Sequence, residues 1–414
     1  MPVFTTPRFD VRSQANASDP NFATEMVKEC LSAAIRLGAS DVHVQPRRDH
    51  WDVSFRIDGV LQPSESFPRS EASDPVARLM ALAGLPSYRG GVPQEGPLRW
   101  PNHDGNIENN NSGIEREMRL GIFPTVHGNR AAIRIMDERE SVRQLDQLGF
   151  DTKTKSQLQS VCDSRDGWLL VAGPAGSGKT TTLYACLSHI AAGEFPRSVL
   201  TIEDPIESVI DSISQSQLQS SSGLTLAAAM RAAVRQDAEV LLVSEIRDVE
   251  TAEAVLAASM TGHLCFSSIH AGSIGTTLRR LVQMELPTFA IQSGLRGVLC
   301  QRLLRELCQD CDEKTNNAKA CDACHGTGYR GRIPIAQMVT FDGGANASSD
   351  ASPNATSGAG QAIFDGLLAR LPASELDAIA SAHGIESLSE QAARLIEEGR
   401  TDAAEVFRVL GRCS

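Results

Sequence analysis

Eight consecutive residues, Gly173 to Thr180, have the types and spacing that bind a triphosphate. Their sequence matches the phosphate loop G-x-x-x-x-G-K-[ST] at every defined position. The glycines let the backbone turn tightly and direct N–H groups at the phosphates, Lys179 would reach the β- and γ-phosphates, and Thr180 would offer its hydroxyl to Mg²⁺. We therefore expect nucleotide to bind residues Gly173, Pro174, Ala175, Gly176, Ser177, Gly178, Lys179, Thr180 and Thr181.

Two glutamates follow predicted strands further along the chain. Glu245 comes just after the apolar run 240–243, which predicts a buried strand, so it would lie beside the phosphate loop at the carboxyl end of a parallel sheet. Hydrolysis of a nucleotide needs a magnesium clamp and a positioned water. We expect Glu245 and Thr180 to hold Mg²⁺ or its water shell. Glu203 ends another predicted strand and is the candidate to orient or deprotonate the attacking water, although the two glutamates could exchange roles.

The elements that position these residues alternate between strand and helix from residue 149 to about 300, which predicts a mostly parallel sheet. The predicted strands are residues 168–172, 198–203, 239–244 and 263–269. A smaller α+β domain is predicted before this core, and helices are predicted after it. The predicted divisions are a flexible lead (1–20), the α+β domain (21–145), the ATPase domain (149–300), a tetracysteine element (301–340), a flexible insert (341–361) and a helical C-terminal domain (362–414).

Four of the ten cysteines form two C-x-x-C pairs, and their spacing predicts a metal site. Cys308 and Cys311 precede Cys321 and Cys324, with nine residues between the pairs. Four thiolates satisfy tetrahedral Zn²⁺ and leave no open position for a substrate, so the predicted site is structural. A redox role for either pair is the alternative.

Composition limits the function classes. The net charge of −12 and the aromatic content of 5% argue against a protein whose main partner is a nucleic acid. The first 20 residues lack the apolar segment of a signal peptide, and no apolar run has the length of a membrane span. We therefore expect a cytoplasmic chain that does not insert into a membrane directly.

Three further segments follow the phosphate loop in the order found in one family. Residues 201–207 (TIEDPIE) resemble an acidic box, 242–248 (LVSEIRD) a Walker B segment and 261–270 (TGHLCFSSIH) a histidine box. Residues 38–46 and 56–61 are similar to signatures of the same family's N-terminal domain. Together these segments resemble the ATPases of type II secretion and type IV pilus assembly, the family of general secretory pathway protein E.

The resemblance implies an α/β fold: a RecA-like P-loop NTPase core with a smaller PAS-like α+β N-terminal domain, a zinc-binding knuckle and a small helical C-terminal bundle. It also implies further site residues. His263 and His270 would belong to the active site, and Arg119 and Arg134 would be fingers reaching the γ-phosphate of a neighbouring subunit. The alternatives are structural histidines and solvated arginines on a strand face.

The function implied is a homohexameric motor that hydrolyses ATP, uses Mg²⁺ and Zn²⁺, and drives pseudopilus or pilus assembly. Its partners would be inner-membrane platform proteins that hold it at the cytoplasmic face of that membrane. One alternative is a RecA-like nucleic-acid translocase. Another is a regulatory paralogue that binds ATP without turnover, and the intact Lys179, Thr180, Glu203 and Glu245 argue against it.

Overall fold

The computed structural model describes residues 21–69, 74–89, 91–101, 115–136, 143–218, 223–311, 321–341 and 357–411. The predicted flexible lead and most of the predicted insert lie outside these residues. Residues 357–361, which composition assigned to the insert, begin a helix instead. The chain divides into two compact units, one within residues 1–140 and 305–331 and the other within 141–304 and 332–414.

The first unit is built on a six-stranded antiparallel sheet in the order β3-β2-β1-β6-β5-β4. Its elements are α1 Phe22–Arg36, β1 Asp41–Pro46, β2 His50–Ile57, β3 Val60–Pro68, α2 Pro75–Leu82, β4 Gln94–Pro101, β5 Glu115–Thr125 and β6 Gly128–Ile135. Alternate residues of β1 and β2, such as Val42 and Phe55, are buried with residues of the two helices in one apolar core. Because strand side chains alternate, the opposite face carries polar residues.

The second unit is built on a seven-stranded sheet in the order β13-β12-β7-β11-β10-β8-β9. Its strands are β7 Gly167–Ala172, β8 Val199–Glu203, β9 Ser214–Gln217, β10 Val240–Val243, β11 Leu264–Ile269, β12 Leu295–Leu307 and β13 Tyr329–Thr340, the last two of which cross into the first unit. Its helices are α3 Thr152–Asp163, α4 Lys179–Ala191, α5 Leu226–Ala233, α6 Val249–Met260, α7 Ile274–Gln283, α8 Thr288–Gly294, α9 Ser357–Leu368, α10 Ala373–Ala382, α11 Leu388–Glu397 and α12 Ala403–Leu410, with a 3₁₀ turn at Leu145–Gln147.

The four predicted strands are confirmed to within one residue at each end. β7, β10 and β11 are buried along their whole lengths, as continuous apolar runs covered on both faces must be. Helices α9 and α10 share a core with the sheet through Phe364 and Leu376. Strands β12 and β13 were not predicted, and β12 pairs in parallel with β7.

The pairings of β7 with β11, β11 with β10 and β10 with β8 are all parallel, so the carboxyl ends of these strands meet at one edge of the sheet. This edge carries the segments that follow each strand, including the phosphate loop and both predicted glutamates. Within the described ranges, none of the helices is both long enough and apolar enough to cross a membrane.

Candidate active site

The phosphate loop joins the end of β7 to the start of α4. Gly176 and Gly178 have φ angles of 74° and 86°, in the left-handed region that glycine adopts without a steric penalty. Pro174 to Gly176 are exposed, whereas Ser177 is buried. Lys179 Nζ donates to the carbonyl oxygens of Gly173 and Pro174, at 2.9 and 3.0 Å. The lysine ammonium therefore lies over the concave backbone that would hold the phosphates.

Gln301 of β12 stabilises the phosphate loop and the start of α4 by hydrogen bonds. The side chain is buried, its Nε2 donates to the carbonyl oxygen of Ser177 at 2.6 Å, and its Oε1 accepts from Thr182 Oγ1 at 2.9 Å. A Cβ placed on Gly173 would lie 2.3 Å from Ser177 Oγ and 2.7 Å from the Gln301 carbonyl oxygen. The first glycine of the motif is thus required by close packing against β12.

Two carboxylates, Glu245 and Glu207, interact electrostatically with Lys179. Burial lowers the pKa of the Lys179 ammonium, and the charges of Glu245 and Glu207 oppose that shift. The acidic and Walker B segments, which are far apart in sequence, therefore act on the lysine of the phosphate loop. An ammonium and carboxylates that interact near a phosphate loop are groups that phosphoryl transfer can use.

Glu245 is held between two cationic or potentially cationic groups. Its Oε1 lies 2.8 Å from His270 Nε2, and its Oε2 accepts from Arg247 Nε at 2.7 Å. The Glu245 side chain retains 15% of its exposure. The backbone beyond His270 is also fixed, because Arg280 donates to the His270 carbonyl oxygen at 2.7 Å and Arg302 to the Gly272 carbonyl oxygen at 2.9 Å.

Glu203 has a different environment, since only 1% of it is exposed. Its carboxylate accepts from the hydroxyl of Tyr184 on Oε2, and from Thr201 Oγ1 and Gln215 Nε2 on Oε1, the latter two at 2.6 and 3.2 Å. All three donors are neutral side chains. The two glutamates therefore differ: Glu245 is partly exposed and faces charged groups, whereas Glu203 is enclosed by dipoles.

The structure brings His270 to this group of residues but does not bring His263. His263 precedes β11 and His270 follows it, so about 20 Å of strand separates their backbones. At its own end of the strand, His263 Nδ1 lies 3.3 Å from the Ala258 carbonyl oxygen. Because nucleotide sites of parallel sheets lie at the carboxyl ends of the strands, His270 is at the relevant edge and His263 is at the opposite one.

The two predicted arginine fingers lie in the other unit. Arg119 and Arg134 are directly opposite each other in the β5–β6 pair. Arg119 Nη2 donates to Glu95 at 2.5 Å, and Arg134 Nε donates to Asp41 at 3.3 Å. At least half of each arginine side chain is exposed, and each guanidinium group is paired with a carboxylate on the polar face of the antiparallel sheet.

The four clustered cysteines lie together within the first unit. Their Sγ atoms are all within 4.8 Å of one another, with 3.9 Å between Cys308 and Cys321 and 3.5 Å between Cys311 and Cys324. Four thiolates around a tetrahedral zinc ion are about 3.8 Å apart, which follows from Zn–S bonds of about 2.3 Å. Soft sulfur donors at this spacing fit Zn²⁺.

Several side chains at the site were missed by the sequence reasoning: Tyr184, Gln215, Arg247, Gln301 and Arg302. Arg247 lies inside the Walker B resemblance and has a signal there. Tyr184 occupies an apolar helical position, and Gln301 lies in a strand that was not predicted. Nothing local in the sequence distinguishes these two from core and loop residues.

The sequence matches the family described as "Type II/IV secretion system protein" over residues 16–357. Type IV pilus assembly ATPase TfpB of Acinetobacter baylyi is 35% identical over 93% of this chain, and Type II secretion system protein E of Pseudomonas aeruginosa is 36% identical over 77% of it. The chain spans 65% of the length of each of these two relatives.

Two solved structures share the fold. The X-ray structure of the Legionella pneumophila ATPase DotB has a TM-score of 0.64 and 18% identity, covering 93% of this chain and 95% of that one. The pilus retraction motor PilT with bound ADP has a TM-score of 0.58 and 22% identity, covering 92% and 96%. At these identities the likeness establishes a common architecture.

The contact between Gly173 and Gln301 gives a testable expectation. In Gly173→Ala the added methyl group must displace the loop or β12, at a cost of about 1–3 kcal/mol, so the affinity for ATP should fall at least about tenfold. Fluorescence titration with a labelled ATP analogue measures it. Gly193→Ala is the matched control, because its Cβ would have no neighbour closer than 3.5 Å. Equal affinity in Gly173→Ala and the unaltered protein would contradict this packing argument.

Proposed function

We propose that this chain, which belongs to the Type II/IV secretion system protein family, is a Mg²⁺-dependent ATPase that works as a hexameric motor in assembling a type II secretion pseudopilus or a type IV pilus. One observation carries the proposal: the parallel sheet assembles Lys179, Glu245 and His270 at the carboxyl ends of three different strands. An ammonium, a carboxylate and an imidazole at a phosphate loop are the groups that nucleotide hydrolysis needs.

Each residue has a proposed role. The loop amides and Lys179 bind the phosphates, and Thr180 and Glu245 supply the oxygen ligands that Mg²⁺ prefers. When bound, the ion neutralises charge on the β- and γ-phosphates. His270 contacts Glu245. We propose that His270 responds to the γ-phosphate, because the phosphate would compete with the Glu245 carboxylate for contact with His270 and Arg247.

Glu203 is proposed to orient the attacking water. An ionised carboxylate has about four acceptor positions, and three are taken by Tyr184, Thr201 and Gln215. About one position remains, which a single water can fill. Because the three hydrogen bonds hold the carboxylate, its orientation does not depend on solvent. A carboxylate that positions a nucleophilic water must be held in this way.

The hexameric ring and its membrane partners are proposed from the names of the relatives and from the exposure of Arg119 and Arg134. The relatives named above are an assembly ATPase of type IV pili and a component of type II secretion. In a ring, the partly exposed Arg119 and Arg134 would exchange their carboxylate partners, Glu95 and Asp41, for the γ-phosphate of a neighbour's nucleotide. Inner-membrane platform proteins would then hold the ring at the cytoplasmic face of the membrane. A nucleic-acid translocase is not favoured.

ATP hydrolysis measured across size-exclusion fractions tests this function. Turnover should be concentrated in the hexamer-sized fraction, and Glu245→Gln should reduce it at least about 100-fold while retaining ATP binding, because the amide keeps the shape but loses the charge. Arg134→Ala should lower kcat in the same fraction at least about tenfold. Near-normal hydrolysis by Glu245→Gln would contradict its role, and an unchanged kcat in Arg134→Ala would remove that arginine from the site.

We propose a structural Zn²⁺ ion for the cysteine cluster. The backbone N–H of Cys324 lowers the pKa of the Cys321 thiol to about 7, whereas burial raises the pKa of the Cys308 and Cys311 thiols. A divalent cation would overcome the cost of ionising these thiols, as metal binding coupled to deprotonation does. The ion would then connect the two C-x-x-C pairs on either side of the nine residues that separate them.

Elemental analysis of protein purified under reducing conditions tests the metal. We expect one zinc per chain, with zinc lost in Cys308→Ser and retained in Cys30→Ala, whose thiol lies in the apolar core of the same unit. Chelation should speed hydrogen exchange in residues 305–311 and 321–331 without abolishing nucleotide binding. A folded, reduced protein that contains no zinc would rule out the tetrathiolate site.

A further inference from the structure

Tyr184 connects the helix of the phosphate loop to the acidic segment. It lies four residues after Thr180 on α4, and residues at this spacing share one face of a helix. Only 3% of Tyr184 is exposed, so its ring is part of the core. The hydroxyl donates to Glu203 Oε2 and accepts from the backbone N–H of Glu207 at 3.3 Å. One phenol oxygen therefore holds both the first and the last residue of the segment 203–207.

The hydroxyl can act only as a donor toward Glu203. Burial and the bonded Glu203 carboxylate raise the pKa of the Tyr184 phenol well above its usual value, so the proton stays on the tyrosine. The carboxylate accepts and cannot donate when ionised. The direction of the contact is thereby fixed: the phenol donates and the Glu203 carboxylate accepts.

The second oxygen of Glu203 is fixed from the other side. Thr201 lies two residues earlier on β8 and therefore on the same face of the strand, and its Oγ1 reaches Oε1. Gln215 is the partner of Thr201 in the β8–β9 register, and its amide joins Oε1 to the Ser208 carbonyl oxygen and the Ile210 N–H. Tyr184 is the only donor to Oε2 within the described part of the chain, so no neighbour replaces it there.

We propose that Tyr184 is a positioning residue for the reaction: its hydroxyl holds the Glu203 carboxylate in the orientation in which the remaining acceptor position meets the attacking water. The inference deepens the proposed function and rests on it. Because Thr180 and Tyr184 belong to one helix, the same rigid element sets the magnesium ligand and the orientation of the water-directing carboxylate. Tyr184 would act on the reaction through Glu203.

Tyr184→Phe tests the inference, since it removes a single oxygen atom from a ring that keeps its packing. Loss of a hydrogen bond to a charged acceptor should lower kcat about tenfold or more, with the KM for ATP and the affinity for nucleotide unchanged within about twofold. A purely structural effect would lower the thermal midpoint or change both constants together. Tyr88→Phe is the matched control, because that ring is 83% exposed and lies outside the nucleotide site.

A double-variant comparison shows whether Tyr184 acts through Glu203. In Glu203→Asp the carboxylate is one methylene shorter and cannot reach the phenol, so adding Tyr184→Phe should change kcat less than about twofold. Multiplicative losses in the double variant would overturn the inference, as would an unchanged kcat in Tyr184→Phe when the unaltered protein is active. If the unaltered protein hydrolyses no ATP in any fraction, the proposed function fails and this inference fails with it.

Discussion

The parallel alignment of β7, β11, β10 and β8 is the constraint on which the candidate site depends. The carboxyl end of each strand leads into a part of the candidate active site: the phosphate loop, the His270 segment, Glu245 and Glu203. Parallel pairing fixes the distances between these segments, because a slip of one residue would move each side chain to the other face of its strand. The buried apolar runs that specify the register therefore also specify the site.

Burial distinguishes the environments of the two glutamates, for which different roles are proposed. Glu245 retains some exposure and exchanges contacts with charged side chains, so it is suited to a metal ion and phosphates that arrive and leave. Glu203 accepts hydrogen bonds from three neutral donors and has little exposure. A carboxylate that is already fixed by dipoles needs little reorganisation during the reaction. Such preorganisation of polar groups is the main way in which enzymes stabilise charge. Two residues of the same type, at neighbouring strand ends, thus have environments that suit the two different roles proposed for them.

Motifs with local signals were predictable from the sequence, and contacts between distant segments were not. The phosphate loop, the four strands and the cysteine pairs each have a defined spacing. Strand β12 was missed because Gln301 and Arg302 interrupt its apolar pattern, although both are buried. Tyr184 has a helical core position, and only the fold shows that its hydroxyl meets a glutamate 19 residues away. For His263, the family resemblance suggested a place in the same site as His270, whereas the length of β11 separates the two residues.

The most direct test of the account is a structure of the protein with Mg²⁺ and a non-hydrolysable ATP analogue. Lys179 Nζ now contacts the carbonyl oxygens of Gly173 and Pro174. With the analogue bound, it should leave both oxygens and contact the β- and γ-phosphates, while Thr180 and Glu245 approach the ion. An analogue bound elsewhere, with Lys179 still on its own loop, would contradict the claim that this strand edge is the site of ATP hydrolysis.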